Sequence, residues 1–245
     1  MDPRLNSLTP EKLLLSLADF IMPRLCLVCG RQLLVGERHL CTACMADLPL
    51  TQFEGMSHNP MADRLNSRLL PDMPGTGYCY AAALFHYQGY EDVTRSLKYH
   101  RNFAGGKYFA RLLGARLAAS ELFADVDVVC CVPLHWSRKA RRGYNQAEII
   151  ARQIWLELGP GVRFEPGLLR RVRRTGTQTR LSDSERAANV AGAFCVTRRP
   201  VSARHILIVD DVFTTGSTLA ACFMELREAA GPSVRISAAT LAFAG

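Results

Sequence analysis

The stretch HILIVDDVFTTGSTL, His205 to Leu219, decides how the chain is read. An apolar run of strand length ends in two adjacent acids, Asp210 and Asp211. Small, mostly hydroxylated residues follow (Thr214, Thr215, Gly216, Ser217, Thr218), and then a segment with Leu219, Cys222, Phe223 and Leu226 at helical spacing. Strand, loop and amphipathic helix in that order form the unit of a parallel sheet, where sites lie at the carboxyl ends of strands. The first amides of the helix are unpaired and its dipole favours an anion. Gly216 permits close backbone approach, and the hydroxyls can donate to phosphate oxygens. The loop suits a monophosphate. The acids repel that phosphate, so they serve something adjacent, such as ribose hydroxyls or a Mg²⁺ bridging to further phosphates. Two other readings are weaker. A nucleotide-hydrolase acid strand lacks its GxxxxGK[ST] partner here, and a simple helix cap needs fewer donors.

Outward from this unit, strands and helices alternate. YCYAAALFHYQG reads as a strand or hairpin entry, and YEDVTRSLKYH and FAGGKYFARLLGARLAASELF read as helices. DVVCCVP is a short strand, followed by a basic loop, SRKARRGYNQ, and a helix capped by Asn145 with Glu148 three residues on. GAFCV and VRISAATLAFA close the series as strands. Alternation of this kind implies an α/β fold with a mostly parallel sheet and helices on both faces.

The chain has 245 residues and is 49% hydrophobic, enough for one sizeable core with a small appended module. Its formal net charge of +8 favours polyanionic partners, though an ordinary basic surface gives the same total. No apolar run approaches the ~18–20 residues of a bilayer span. The first residues carry Glu11, Lys12 and Asp19 among their leucines, unlike a signal peptide. They read as an amphipathic helix, and the chain as cytoplasmic.

Two CxxC pairs, Cys26/Cys29 and Cys41/Cys44, have the spacing of a tetrahedral metal knuckle. Four thiolates leave no open position, so the zinc they suit is structural; a disulfide pair is the other reading. His39 is a spare potential ligand. Cys79, Cys130, Cys131, Cys195 and Cys222 lie in apolar surroundings and read as buried thiols.

ILIVDDVFTTGSTL closely resembles the signature of type I phosphoribosyltransferases. That resemblance implies that Asp210 and Asp211, as catalytic residues, meet the ribose hydroxyls of phosphoribosyl pyrophosphate (PRPP). It also implies that Thr214, Thr215, Gly216, Ser217 and Thr218 hold the 5-phosphate. The order of four-cysteine knuckle, LKYH, VPLHWSRKARRGYNQAE, RRVRRTGTQTRLSDSERAANVAGAF and signature is similar to the ComF family of competence-associated, phosphoribosyltransferase-like proteins. The match runs from about Cys26 to the end of the chain.

Residue pattern and resemblance together divide the chain into four parts: an N-terminal amphipathic helix (1–22) and a linker and cover segment (51–77), both read from the residues, a zinc-binding four-cysteine module (23–50), and a domain (78–245) that resembles the phosphoribosyltransferases. By position, Arg138, Lys139, Arg141 and Arg142 resemble a pyrophosphate-receiving loop, their forks suiting phosphate oxygens; a solvated basic turn is the plainer reading. The segment Arg170 to Arg186, with Arg171, Arg173, Arg174 and Arg180, resembles the flexible loop that closes over substrate. The alternative is a single-stranded DNA track, for which Trp136, Tyr144 and Phe164 offer stacking faces, although such binders usually carry more interleaved aromatics than this chain.

Two functions are compatible with this resemblance. One is a role in DNA uptake, with a phosphoribosyl ligand or single-stranded DNA bound and an uptake helicase as partner. The other is a Mg²⁺-dependent phosphoribosyltransferase of salvage or biosynthesis, although no residue stands out as a reader of a nucleobase.

Overall fold

The computed structural model describes residues 23–69, 77–99, 102–173, 192–199 and 202–245. The expected helix over 1–22 lies outside them, as do Arg174, Gln178, Arg180, Arg186 and Asn189 of the arginine-rich segment.

After the cysteine module with its short helix α1 (Thr42–Ala46), the order is α2 (Pro60–Leu69), β1 (Ala81–His86), α3 (Glu91–Tyr99), α4 (Phe103–Ala118) and β2 (Val128–Cys131). There follow α5 (Trp136–Arg142), α6 (Gln146–Leu158), β3 (Arg163–Phe164), β4 (Leu169–Arg171), β5 (Phe194–Val196), β6 (His205–Phe213), α7 (Ser217–Ala230) and β7 (Arg235–Phe243). Five strands form a parallel sheet in the order β1-β7-β6-β2-β3. The fold class expected from the sequence is the one found. Right-handed crossovers to the left (β6 to β7) and to the right (β2 to β3) put α7 and α6 on opposite faces. Covered on both faces, the inner strands are continuous apolar runs: all of β2 and the first five residues of β6 are buried. Among the described residues, no helix is long and apolar enough to cross a membrane.

Two local expectations are corrected. The basic loop is a helix, α5, because WSRKARR is rich in helix formers. His135 Nδ1 caps its start at Ser137 N (3.3 Å), and Gly143, at φ +85°, ends it. GAFCV is not part of the parallel sheet. It supplies β5, which pairs antiparallel with β4 in a separate ribbon.

The feature that positions the site is a mismatch of strand lengths. β2 keeps register with β6 only as far as Cys131 opposite Val209, with Val132 N donating to Val209 O at 2.9 Å. β6 continues beside β7 through Asp210 opposite Thr240 to Phe213 opposite Phe243. The two acids therefore emerge where the neighbouring strand has ended.

At the opposite, amino end of the strands, His205 is wholly buried between Asp125 (Nδ1 to Oδ1, 2.7 Å) and Ser237 (Nε2 to Oγ, 2.8 Å). A carboxylate only accepts, so Nδ1 carries the proton and the Ser237 hydroxyl donates to Nε2. Ser237 is also fully buried, so this trio staples β6 to β7 and has no access to a substrate. Burial holds the His205 pKa below its ordinary value, against the opposing pull of Asp125. On acidification the unfolded chain takes up this proton first. The stability contributed is thus complete above about pH 6.5 and is lost as pH falls below it. His205→Gln is expected to lower stability by about 1–3 kcal/mol and to flatten the decline between pH 7 and pH 5. Urea denaturation at the two pH values checks this, and an unchanged slope would remove the role given to His205.

Candidate functional site

The knuckle is built by short-range hydrogen bonds. The four sulfurs of Cys26, Cys29, Cys41 and Cys44 lie within 4.8 Å of one another. A tetrahedral zinc with bonds of about 2.3 Å needs sulfurs about 3.8 Å apart; those of Cys29 and Cys41 are 3.7 Å apart. The amides of Cys41 and Cys44 point at Cys26 Sγ (3.4 Å) and Cys41 Sγ (3.5 Å). Burial opposes ionisation of Cys26, yet the amides of Cys29, Cys41 and Val28 bring its thiol down to about 6. The cluster can hold a metal ion such as zinc.

Glu37 ties the two halves of the module together. It accepts from Leu34 N (2.8 Å), Thr42 N (2.6 Å) and Thr42 Oγ1 (2.8 Å), contacts that depress its carboxyl to about 2. His39 packs instead on Tyr108, with ring centroids 5.3 Å apart, and is not one of the clustered ligands.

The second constellation surrounds a cleft of about 440 Å³ at the carboxyl end of β6. Asp210, Asp211 and the whole run Thr214–Thr218 line it, together with Arg142, Asn145, Gln146, Arg171, Lys98 and Tyr99. Gly216 is the N-cap of α7 at φ +79°, and a Cβ there would lie 2.7 Å from the Phe213 ring. Having no side chain, it offers α7 no side-chain cap, and the first amide of the helix, Ser217 N, lies 3.5 Å from Thr215 Oγ1. Thr215 Oγ1 and Ser217 Oγ are 3.0 Å apart, so their hydroxyls share one locus. From α2, Arg64 donates to Thr214 O at 3.3 Å.

The acids differ from one another. Asp211 is paired with Lys98, Oδ2 to Nζ 2.8 Å, on the last turn of α3. Burial works against the Lys98 charge, but Asp211 and Asp210 hold its pKa above the ordinary value. Asp210 accepts from Asp211 N at 2.8 Å; burial, and then the charge of Asp211, push its carboxyl up to about 7.

The expected pyrophosphate residues separate. Arg142 lines the cleft. Lys139 lies 3.5 Å from Glu148, the residue expected to complete the Asn145 cap. Asn145 does cap α6 through Ala147 N (3.2 Å), and its amide also donates to Val132 O (3.0 Å). Arg138 lies in α5, its side chain outside the described part. Of the three aromatics considered for stacking, Trp136 is exposed, whereas Phe164 lies against Trp155 and Tyr144 donates to Leu97 O (2.6 Å) and Lys98 O (3.1 Å).

Sequence reasoning assigned no part to Lys98 or Tyr99, although LKYH was among the matching motifs. Their place in the cleft depends on a contact between segments far apart in the chain.

No family model matches the chain. Among curated proteins, DNA utilization protein YhgH of an Escherichia coli strain is 30% identical over 216 residues, 81% of this chain and 88% of that protein. The chain belongs to the ComF family. This ComF chain is also 39% identical to competence protein F of Haemophilus influenzae over 97 residues, which are 38% of the chain and 41% of that relative. The Salmonella typhi DNA utilization protein YhgH is 38% identical over 134 residues, 52% of the ComF chain and 56% of that protein.

Proposed function

We propose that this ComF-family chain takes part in DNA uptake or utilisation and does so by gripping a phosphoribosyl ligand in the β6 cleft. The supporting observation is convergence. A hydroxyl-rich loop on an open helix end, a pair of acids and Arg142 line one cleft of about 440 Å³. In this reading Thr214–Thr218 and the first amides of α7 take the 5-phosphate. Asp210 and Asp211 accept from the ribose hydroxyls, and Arg142 faces any further phosphate. Asp211 already carries an ammonium partner, so magnesium would enter with the ligand's own phosphates. The names of the relatives support the DNA role, and in this reading we place the chain in the cytoplasm. Single-stranded DNA and an uptake helicase are its natural partners.

Titration with ribose 5-phosphate and with PRPP plus Mg²⁺ tests the cleft. Binding is expected, weakened about 10- to 100-fold in Thr215→Val, as for loss of a hydrogen bond to a charged group. Failure of both ligands to bind at millimolar concentration would sink the reading. For the DNA role, deletion of the gene should lower transformation by exogenous DNA, and an unchanged frequency would remove it. Binding of single strands through the exposed Lys139 and Arg141 should weaken steeply with salt.

A second reading, phosphoribosyl transfer, draws support from Asp210, whose carboxyl near 7 suits proton transfer at neutral pH. In that reaction the ribose C1–O bond to pyrophosphate breaks, pyrophosphate departs with the bonding pair, an acceptor nitrogen or oxygen bonds to C1, and the proton that acceptor loses passes to the Asp210 carboxylate. Release of pyrophosphate from PRPP in the presence of candidate acceptors distinguishes it from simple binding.

A further inference from the structure

Tyr99 closes α3, is 69% exposed, and is one of the residues that line the cleft. Its neighbour Lys98 reaches Asp211, so the end of α3 stands beside the position assigned to the ribose. Arg142, from the end of α5, places its guanidinium 5.6 Å from the Tyr99 ring centroid. The pair is held in place, because Tyr144 ties down the carbonyls of Leu97 and Lys98 immediately before Tyr99 (2.6 and 3.1 Å). An aromatic ring at the rim of a polar cleft, backed by a guanidinium, presents its open surface to a planar π-system. Trp136 is comparably exposed at 73%, but it does not line the cleft.

We propose that Tyr99 and Arg142 form a stacking platform for a nucleobase. The ligand is then a nucleoside 5′-phosphate, free or at the 5′ end of a single strand, rather than a bare sugar phosphate. This rests on reading the cleft as a phosphoribosyl site. Phosphate at the α7 end and ribose at the acids leave the ribose C1 substituent to emerge on the α3 side, against Tyr99.

The test measures affinities of the full-length wild type, Tyr99→Ala and Tyr99→Phe at one fixed salt concentration. The probes are ribose 5-phosphate, adenosine 5′-monophosphate, and a short single strand with either a 5′-phosphate or a 5′-hydroxyl. The mononucleotide is expected to bind roughly tenfold tighter than ribose 5-phosphate, the usual size of one base–aromatic stack. Tyr99→Ala should erase that margin, Tyr99→Phe should keep it, and ribose 5-phosphate should be unaffected by either change. A 5′-phosphorylated strand that shows the same Tyr99 dependence, with a 5′-hydroxyl twin that does not, upholds the platform with a strand end as source. Dependence confined to the mononucleotide upholds it with a free nucleotide. If ribose 5-phosphate binds as tightly as the nucleotide, or Tyr99→Ala weakens both equally, the platform is overturned while the phosphoribosyl site stands. If only the nucleotide binds and Tyr99→Ala abolishes it, the platform is upheld, with a sugar phosphate too weakly held to bind without the base. If nothing binds, both fall.

Discussion

Cys41→Ser, or removal of metal by a strong chelator, is expected to unfold the segment 23–50 and to lower the melting temperature of the whole chain. Cys41 is almost fully buried, and it also caps α1 through Cys44 N at 3.5 Å. That helix has five residues, too few to persist without an anchor. The module buries few apolar side chains of its own, chiefly Leu33 and Leu40. Glu37 and the cysteine amides tie it together, but with so little apolar burial much of its order is expected to rest on metal at the four sulfurs; structural zinc in such sites contributes about 10–16 kcal/mol of apparent binding energy at neutral pH. The damage spreads to the main domain because Tyr90 OH donates to Cys44 O at 2.9 Å and the module leads directly into residues packed on β1. Metal analysis should give one zinc per chain in the wild type and none in Cys41→Ser. A wild-type melting curve indifferent to the chelator would refute the structural-metal reading.

Replacing the two acids by asparagine should give opposite effects on stability. Asp210 has its carboxyl pushed up to about 7 by burial and by Asp211. Relative to an unfolded value of about 3.9, the folded state retains the Asp210 proton to higher pH. Stability from this group is therefore greatest in acid and declines as pH rises from about 4 to about 7. Asparagine removes that burden and can still accept from Asp211 N, so Asp210→Asn is expected to match or exceed the wild type in stability at pH 7.5, by up to roughly 2–3 kcal/mol. Asp211→Asn leaves the half-buried Lys98 without its 2.8 Å partner and should destabilise by about 1–3 kcal/mol. Both substitutions should weaken ribose 5-phosphate binding about tenfold or more, as each removes a charged acceptor. Chemical denaturation alongside ligand titration separates the cases; a destabilised Asp210→Asn would contradict this account of the cleft. A residue that costs stability yet lines a cleft fits the trade seen where function opposes folding.

Much of the architecture was visible in the sequence because buried parallel strands are continuous apolar runs. DVVCCVP, HILIVDD and VRISAATLAFA each appear as strands of the central sheet. The loop after β6 was legible as well: the acids stand near the end of the strand, and small hydroxyls with a glycine follow its final residue, Phe213, without interruption. What escaped notice depends on long-range contacts. Nothing near Lys98 announces Asp211, and Tyr99 stands just beyond the apolar face of α3, where periodicity carries no information. The helical state of WSRKARR was hidden by its charge, although Gly143 after the last arginine was an available stop signal. His205 looked like the first residue of an apolar run, and only its packing against Asp125 and Ser237 explains its burial.

The residues just after the cysteine module have a further consequence. Leu50 forms an antiparallel bridge with Phe85, Thr51 N donates to Leu84 O (3.1 Å) and His86 N donates to Pro49 O (2.9 Å). This short segment covers the outer rim of β1, whose other side is taken by β7. Were the module to come undone, the Pro49 and Leu50 contacts would go with it, and the Phe85–His86 end of β1 would present open backbone groups beside an apolar face, while Thr51 and Asn59 would still hold the carbonyls of Ala83, Leu84 and Ala81. Such an edge recruits strands from other molecules. Protein stripped of its metal is therefore expected to be lost to self-association before it is lost to unfolding, and metal at the cysteines would guard the solubility of the sheet as well as their own corner of the chain.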